Sequence, residues 1–372
     1  MRLALVTQTV TRGDGQGRVN LEIALQAARS GWQVTLVTSG VEQELREFPN
    51  VSWVSIPWYR RATSICAELL FARLSGNWLR ANRANLDVVH ANGFNTLAGS
   101  DVNTAHFVHG AWIKSPAHTA RSRRDHYGAY QWVYSALNAR LERAAFRHAR
   151  TVVAVSHRVR EELIGIGLPL QRLEVILNGV DLAEFCPGTE MEGREALGLP
   201  CGVPLGLFVG DIRTPRKNLD TVLHALTRVP SAHLAVVGSV AGSPFPALSM
   251  RLGLADRVQF LGYRRDVSRL MRASDYFVFP SRYEACSLVI LEALASGLPV
   301  VTSQTAGGAE IITSDCGVVL TDPDDVDALA DALKELSADP RRRARMGAAS
   351  RRIAESYSWQ RMADEYLRLY QN

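Results

Sequence analysis

Residues 277–301, FVFPSRYEACSLVILEALASGLPVV, constrain the fold more than any other stretch of the chain. Tyr276, Phe277, Val278 and Phe279 form a short apolar run that stops at Pro280, as a core strand does. Leu288, Leu291, Ala295 and Leu298 then recur at helical spacing, Gly297 ends that helix, and Pro299 lies just beyond. Val300 and Val301 open another strand. A strand, a tight loop, a helix and a second strand make a βαβ-type unit and place the chain in the α/β class.

The loop of this unit carries Glu284, and Glu292 follows on the helix, about a turn and a half in. Between them lie the backbone N–H groups of a helix N-terminus, at Ala285, Cys286, Ser287 and Leu288. Orphan donors and the helix dipole make such an end a site for phosphate. A diphosphate on the N–H groups, with a carboxylate on each side for sugar hydroxyls, suits a sugar nucleotide. The plainer alternative is a solvated loop acid and a surface helix acid. It fits Glu292 poorly, because Leu291, Ala293, Leu294 and Ala295 around it are apolar.

A chain of 372 residues exceeds one compact core and is expected to form two domains. Its 47% hydrophobic and 21% charged residues are those of a soluble globular protein. The five cysteines are scattered and form no C-x-x-C pair, which argues against a disulfide framework or a zinc site and points to a reducing cytosol. The start, MRLALVTQTV, is too short for a signal sequence and reads as a first strand, and no apolar stretch of spanning length follows. Residues 1–180 hold 21 Lys and Arg against 13 Asp and Glu, net +8, while the rest hold 21 against 24, net −3. The first half is therefore expected to meet an acidic partner: an anionic lipid surface, a phosphorylated acceptor or nucleic acid.

The first half opens as βαβ. Residues 3–7 are a strand, a helix carries Leu21, Ile23, Ala24, Leu25 and Ala28, and residues 33–37 form the next strand. The intervening loop has Gly13, Gly15 and Gly17, a G-x-G-x-G pattern, and the second strand ends without an acid for a ribose. Both features argue against an NAD-type fold. Gly15 and Gly17 either form a plain turn or admit a phosphate or acceptor to the backbone, with Arg18 and Asn20 as added polar groups. Residues 55–85 and 111–150 interleave arginines with Trp58, Tyr59, Trp78, Trp112, Tyr127, Tyr130, Trp132 and Tyr134; Arg60 and Arg61 belong to the first stretch and Arg140, Arg143, Arg147 and Arg150 to the second. These are solvated helix faces or a basic amphipathic surface for an anionic membrane or acceptor. No nucleic-acid motif accompanies the charge. Residues 86–90 and 105–110 read as strands, and His109, beside Gly110 at the end of the second, falls where ligands bind open α/β sheets. Residues 151–156 form a strand leading to a helix capped at Ser156; Asn178-Gly179 and Pro187-Gly188 mark the way out of the domain.

In the second half, residues 205–210 are a strand followed by the loop DIRTPRKN, where Arg213, Arg216 and Lys217 crowd the strand end. Such cations suit phosphate oxygens, Arg by paired contacts and Lys as a point charge. Strands are expected at 232–238, 258–261, 275–280, 300–302 and 317–320, and Gly307-Gly308 precedes another helix. The run DPDDVD at 322–327 looks like a metal motif but opens a helix, where acids cap. The chain ends in two helices from about Arg341, with Trp359, Tyr366 and Leu369.

In order, VSHRVREEL, VILNGVDLAEFCPG, VGDIRTPRKNLD and the 277–301 stretch with its E-x7-E spacing resemble the motifs of the retaining glycosyltransferases of family 4, over essentially the whole chain. The resemblance implies the GT-B fold: two Rossmann-like domains facing across a cleft. These are an acceptor-binding domain at 1–182, a nucleotide-sugar donor domain at 183–350, and a C-terminal helix at 351–372 crossing back to the first. It implies transfer of a sugar from a UDP- or GDP-linked donor to a hydroxyl acceptor with retention, without a required metal or a cofactor beyond that co-substrate. The acceptor would be a saccharide or lipid-linked saccharide of cell-envelope glycan, lipopolysaccharide or glycolipid synthesis. The setting would be cytoplasmic, peripheral on the inner face of the membrane. By the same resemblance Lys217 and a neighbouring Arg hold the donor diphosphate, Glu292 the ribose and Glu284 the transferred sugar. Gly262 and Tyr263 meet the nucleobase, His109 lies near the sugar and acceptor, and Gly17 near the phosphates. Three departures stand out. Asp211 follows Gly210 where the family often has Arg, so Arg213 or Arg216 supplies that charge; Ala285-Cys286-Ser287 replaces Gly-Phe-Gly; and the first loop lacks the common double glycine. Other proteins of the same architecture are epimerases, phosphorylases or non-catalytic binders.

Overall fold

A computed structural model describes residues 1–13, 15–58, 64–188 and 193–372; Tyr59, Arg60 and Arg61 of the first basic stretch lie outside the described residues. The chain forms two compact units, Met1–Gly179 with Trp359–Asn372, and Val180–Ser358. Both are Rossmann-like. The strands of the first are β1 (Arg2–Val6), β2 (Thr9–Val10), β3 (Gln33–Thr38), β4 (Gly40–Val41), β5 (Val51–Ser55), β6 (Val88–Asn92), β7 (Val102–Ala105), β8 (Thr151–Ala154) and β9 (Leu173–Val175). Its main sheet has the order β5-β3-β1-β6-β7-β8-β9, with β2 and β4 paired beside it, and every pair is parallel. The second unit holds β10 (Leu205–Val209), β11 (His233–Val237), β12 (Val258–Gly262), β13 (Tyr276–Phe279), β14 (Val300–Ser303) and β15 (Gly317–Leu320), in the parallel order β12-β11-β10-β13-β14-β15.

The central strands are apolar on both faces because helices cover both faces of a parallel sheet. β10 and β13 are buried throughout. Gly206 makes room there for a fully buried tyrosine, since a Cβ on it would sit 2.6 Å from the ring of Tyr276.

The last helix, Trp359–Gln371, belongs to the first unit. Trp359, Met362, Ala363, Tyr366, Leu367 and Tyr370 are buried at helical spacing, and the helix packs on Gly15–Arg29. Each large side chain so buried contributes about 1.5–3 kcal/mol. A buried polar chain fixes its register: the Tyr370 hydroxyl lies 2.7 Å from His90 Nδ1, His90 Nε2 lies 2.8 Å from Thr104 Oγ1, and Thr104 Oγ1 lies 3.1 Å from the Tyr366 hydroxyl. Residues 351–354, expected to start the final helix, instead finish Pro340–Ala354 in the second unit, because Arg351 is held by the carbonyls of Phe185 and Ala295.

Three local expectations are corrected. Residues 105–110 are not a strand: β7 ends at Ala105, and His109 opens the helical turn His109–Trp112. The cause is Glu142, whose carboxylate accepts the His109 backbone N–H at 3.0 Å and turns the chain out of the sheet. Gly15 and Gly17 lie in the first turn of Gly15–Arg29 rather than in an open loop, with Gly17 buried. Gly307-Gly308 leads only a 3-10 turn, Ala309–Ile311.

Burial pushes the His90 imidazole down to about 3, with His106 nearby adding to the effect. The unfolded chain, with His near 6.5, then binds a proton that the folded chain refuses. Stability contributed by neutral His90 is complete above about 6.5 and is lost as pH falls toward 3. Melting temperatures are expected to fall from pH 7 to pH 4, with a shallower slope in His90→Gln; an unchanged slope in that variant contradicts this account.

Candidate functional site

Strand order reverses between β1 and β6 in the first sheet and between β10 and β13 in the second. At such a reversal the crossovers depart to opposite faces and leave a crevice at the carboxyl ends of the strands. Each unit places a polar cluster there.

In the second unit, the chain beyond β10 makes the 3-10 turn Pro215–Lys217, and beyond β13 it enters the Glu284 loop. The two are clamped together. Asn218 adopts the left-handed conformation (φ 66°), which Asn tolerates. Its amide donates to the carbonyls of Pro280 at 2.9 Å and Pro323 at 2.6 Å. The backbone N–H of Arg282 and the Ser281 hydroxyl both donate to the Arg216 carbonyl, at 2.9 and 3.1 Å. The Arg282 guanidinium reaches the Pro215 carbonyl, Asp220 and Asp324. Arg216 and Lys217 consequently converge on one oxygen of Glu284, at 2.9 and 2.5 Å, with the Ser281 hydroxyl at 3.3 Å.

Burial alone would raise the Glu284 carboxyl, but Lys217 and then Arg216 outweigh it and hold the group below its ordinary value. Burial lowers the Lys217 ammonium, and Arg216 acts the same way while Glu284 opposes both. Both groups move down: the carboxylate because two cations outweigh its burial, the ammonium because burial, with Arg216, outweighs Glu284 and Asp211. Glu284 is thus ionised at neutral pH.

The Glu284 loop is sewn to the 305–308 loop by Glu284 N–H to Thr305 O (3.2 Å), Gly307 N–H to Glu284 O (3.0 Å) and Ser287 N–H to Gly307 O (2.9 Å). A Cβ on Gly307 would lie 1.8 Å from the Ala285 carbonyl oxygen, so no side chain fits. This seam corrects one expectation: the Ser287 N–H is used inside the fold and is no spare anion donor. Leu288 begins the helix Leu288–Ala295, where the first N–H groups have no intrahelical partner. Leu288, Val289 and Glu292 form its half-exposed stripe, while Ile290, Leu291, Ala293, Leu294 and Ala295 are buried. Ala285 is buried and Cys286 half-buried.

Arg213 does not join the cluster around Glu284; it pairs with Asp211 at 2.9 Å and is more than half exposed. Against the pull of burial, it holds the Asp211 carboxyl below its usual range. Gly210 lets Lys217 pass closely, since a Cβ there would lie 3.4 Å from Lys217 Cγ. Gly262 closes β12 at φ 72°, accepts from the Gly238 N–H at 3.0 Å, and precedes the well-exposed Tyr263. In the acidic run, Asp325 caps its helix through Ala328 N–H, and Asp324 pairs with Arg282.

In the first unit, a pocket of about 210 Å³ opens at the β1/β6 reversal; its walls include Gln8, Asn92, His109, Glu68, Tyr134 and Glu142. Glu142 accepts from His109 Nδ1 at 2.7 Å as well as from its backbone N–H, leaving Nε2 as the other ring nitrogen. Burial disfavours the charged ring, but Glu142 and Glu68 outweigh it and raise the His109 imidazole. The Tyr134 hydroxyl donates to Glu68 at 2.6 Å, and burial raises the Glu68 carboxyl. His106 lies 2.9 Å from Asn92 Oδ1, and burial pushes it down to about 4.

Glu68, Tyr134, Glu142, Asn218 and Ser281 were not foreseen as site residues. One was readable: Glu142 is the acid among Arg140, Arg143 and Arg147, in phase with the buried Ser135, Asn138 and Phe146. Asn218 carried no signal, because its left-handed conformation depends on carbonyls 62 and 105 residues away.

Gly307→Ala is expected to destabilise the second unit by about 2 kcal/mol or more, since backbone must move to admit the methyl. Asn218→Ala is expected to cost less but to loosen Lys217. Denaturant melts check both, and a wild-type midpoint for Gly307→Ala contradicts the assigned seam.

The Glycosyltransferase Family 4 profile matches residues 13–184, and the Glycosyl transferases group 1 profile matches residues 203–339. The chain is 35% identical over 234 residues to a D-inositol 3-phosphate glycosyltransferase of Xylanimonas cellulosilytica, covering 59% of this chain and 56% of that one. It thus spans little more than half the length of that curated relative. Among solved structures, a sucrose-phosphate synthase from Thermosynechococcus elongatus shares the fold with TM-score 0.80 at 22% identity, over 100% of this chain and 98% of that one. WaaG, a glycosyltransferase involved in lipopolysaccharide biosynthesis, does so with TM-score 0.78 at 22% identity, over 100% of both. With two Rossmann-like units of the GT-B type and both profiles in their expected halves, the chain belongs to the group 1, family 4 glycosyltransferases.

Proposed function

We propose that this protein transfers a sugar from a nucleoside diphosphate donor, UDP- or GDP-linked, to a hydroxyl of a saccharide or polyol acceptor, with retention of anomeric configuration. The observation that carries the proposal is the Arg216–Lys217–Glu284 cluster at the β10/β13 reversal. Two cations held by one carboxylate leave a net positive charge for a competing anion. A donor diphosphate takes over Arg216 and Lys217, and Glu284 turns to hydroxyls of the donor sugar. The N-terminal turn of Leu288–Ala295 supplies backbone donors, and Glu292 on its open stripe serves the ribose. Gly262 and Tyr263 serve the base.

As the glycosidic bond breaks, negative charge grows on the leaving phosphate, and Arg216 and Lys217 stabilise it there. The acceptor hydroxyl attacks from the face the phosphate leaves, with Glu284 orienting the sugar and no covalent enzyme intermediate. His109 contributes at the acceptor. Arg213 has a secondary, outer role. The cations do the work that a divalent metal does elsewhere, so no resident metal or cofactor is needed.

A lead for localisation is the outer surface of the first unit. No helix among the described residues is long and apolar enough to cross a membrane. Yet Trp132 and Val133 are more than half exposed and Leu69 and Leu70 are also exposed, on two helices joined by the Tyr134–Glu68 bond. Arg73, Arg140 and Arg143 are exposed on the same helices. Apolar tips among arginines suit peripheral contact with an anionic bilayer. Co-sedimentation with phosphatidylglycerol vesicles, reduced several-fold in Trp132→Ala or by high salt, is the expected result; equal binding to neutral vesicles argues against it.

The donor site is tested by thermal shift against nucleoside diphosphates and their sugars. Ligand at about 100 times its Kd adds about 2.7 kcal/mol, which raises the midpoint by roughly 5 °C or more. That gain is expected to vanish in Lys217→Ala and Glu292→Ala while both stay folded by circular dichroism. No response to any nucleotide overturns the proposal. Product anomer, read by NMR, tests retention, and EDTA is expected to leave turnover unchanged.

A further inference from the structure

We infer that the first-unit pocket takes an uncharged polyhydroxy acceptor and discriminates against the corresponding phosphomonoester, a specificity that rests on the transferase reading above. The inference comes from what walls the pocket. Two carboxylates, Glu68 and Glu142, line it together with amide side chains such as Gln8, Asn95 and Asn138, and among the described residues no Lys or Arg lines it. The carboxylates come from different helices, Ser64–Asn82 and His126–His148, and both are tied down. Glu142 holds the ring and backbone of His109 at 2.7 and 3.0 Å, and Glu68 accepts from Tyr134 at 2.6 Å.

The charges there nearly cancel. Glu142 pairs with His109, burial keeps His106 neutral, and Glu68, whose carboxyl burial raises, accepts from the Tyr134 hydroxyl rather than from a cation. A phosphomonoester brings a charge of −1.5 to −2 at neutral pH, and it demands cations or several N–H donors where it settles. Against Glu68 and Glu142 it meets carboxylates rather than cations. A sugar or cyclitol hydroxyl instead both donates and accepts, so carboxylate and amide oxygens take its protons while amide N–H groups feed its lone pairs. Side chains of both kinds at one sheet reversal form a surface for hydroxyls. The basic character of the first half, which pointed toward a phosphorylated acceptor, resides instead on outward-facing arginines such as Arg140, Arg143 and Arg147.

Two measurements separate this inference from the transferase reading. Saturation-transfer NMR on the whole protein with myo-inositol and with myo-inositol monophosphate, no donor present, reads the pocket alone. Binding of the neutral cyclitol at least tenfold tighter than its phosphate is expected. Equal or tighter binding of the phosphate, or binding of neither, overturns the inference. The second compares kcat/KM for a neutral hexose or cyclitol with that for its monophosphate, using the donor identified by thermal shift. Glu68→Gln keeps an oxygen for Tyr134 and removes the ionisable carboxyl. It is expected to narrow the preference several-fold by improving the phosphate's KM more than its kcat. An unchanged preference in that variant assigns the selectivity elsewhere and overturns the role of Glu68. A protein that binds the cyclitol by NMR but no nucleotide by thermal shift supports the pocket's specificity and refutes the transferase reading.

Discussion

Parallel pairing is the constraint on which both units depend. When all strands of a sheet run one way, every strand delivers its carboxyl end to the same edge, and every connection must cross back over a face. Where successive crossovers change faces, the loops part. In the second unit the loops that part there leave β10 and β13; in the first they leave β1 and β6. Lys217, Glu284 and the pocket beside His109 are products of that geometry before they are products of any chemistry.

The geometry leaves a problem of charge. Two partly buried cations, Arg216 and Lys217, both sit within hydrogen-bond reach of the buried Glu284. Taking charges out of water is costly unless partners and hydrogen bonds compensate, and here one carboxylate oxygen receives three donors. The surrounding clamp supplies the rigidity that such compensation needs. Asn218 holds the end of the turn, Arg282 its start, and Gly307 permits the backbone approach that fixes the Glu284 loop. The pocket of the first unit solves the same problem differently, tying each carboxylate to a single aromatic partner: Glu142 to His109 and Glu68 to Tyr134.

Much of this was legible. The apolar runs that became β10, β13 and β14 were bounded by Gly and Pro, and Glu284 and Lys217, which the fold brings together, could be named from their loops at strand ends. What misled was local likeness. AHFVHG has the composition of a strand, yet a carboxylate 33 residues later captures the His109 N–H and starts a helix. Arg213 and Arg216 were equivalent in the loop sequence and separated only when Asp211 took the first and Glu284 the second. Ser287 looked like a donor until Gly307 claimed its N–H.

The sequence by itself determined the alternation of strands and helices, the loops at strand ends, and which residue types stood in them. These follow from periodicity and from Gly and Pro, whose effects act over a few residues. The tertiary structure alone decided which charges meet and which backbone groups remain for a ligand. Glu284 finds Lys217 across 67 residues and His90 finds Tyr370 across 280. Such meetings depend on strand order, which local spacing does not encode. The net charge of the first half, read as a whole, pointed toward an acidic partner. Only the folded chain sorts it into arginines facing outward and glutamates facing the pocket, because burial selects the charges that can be paired.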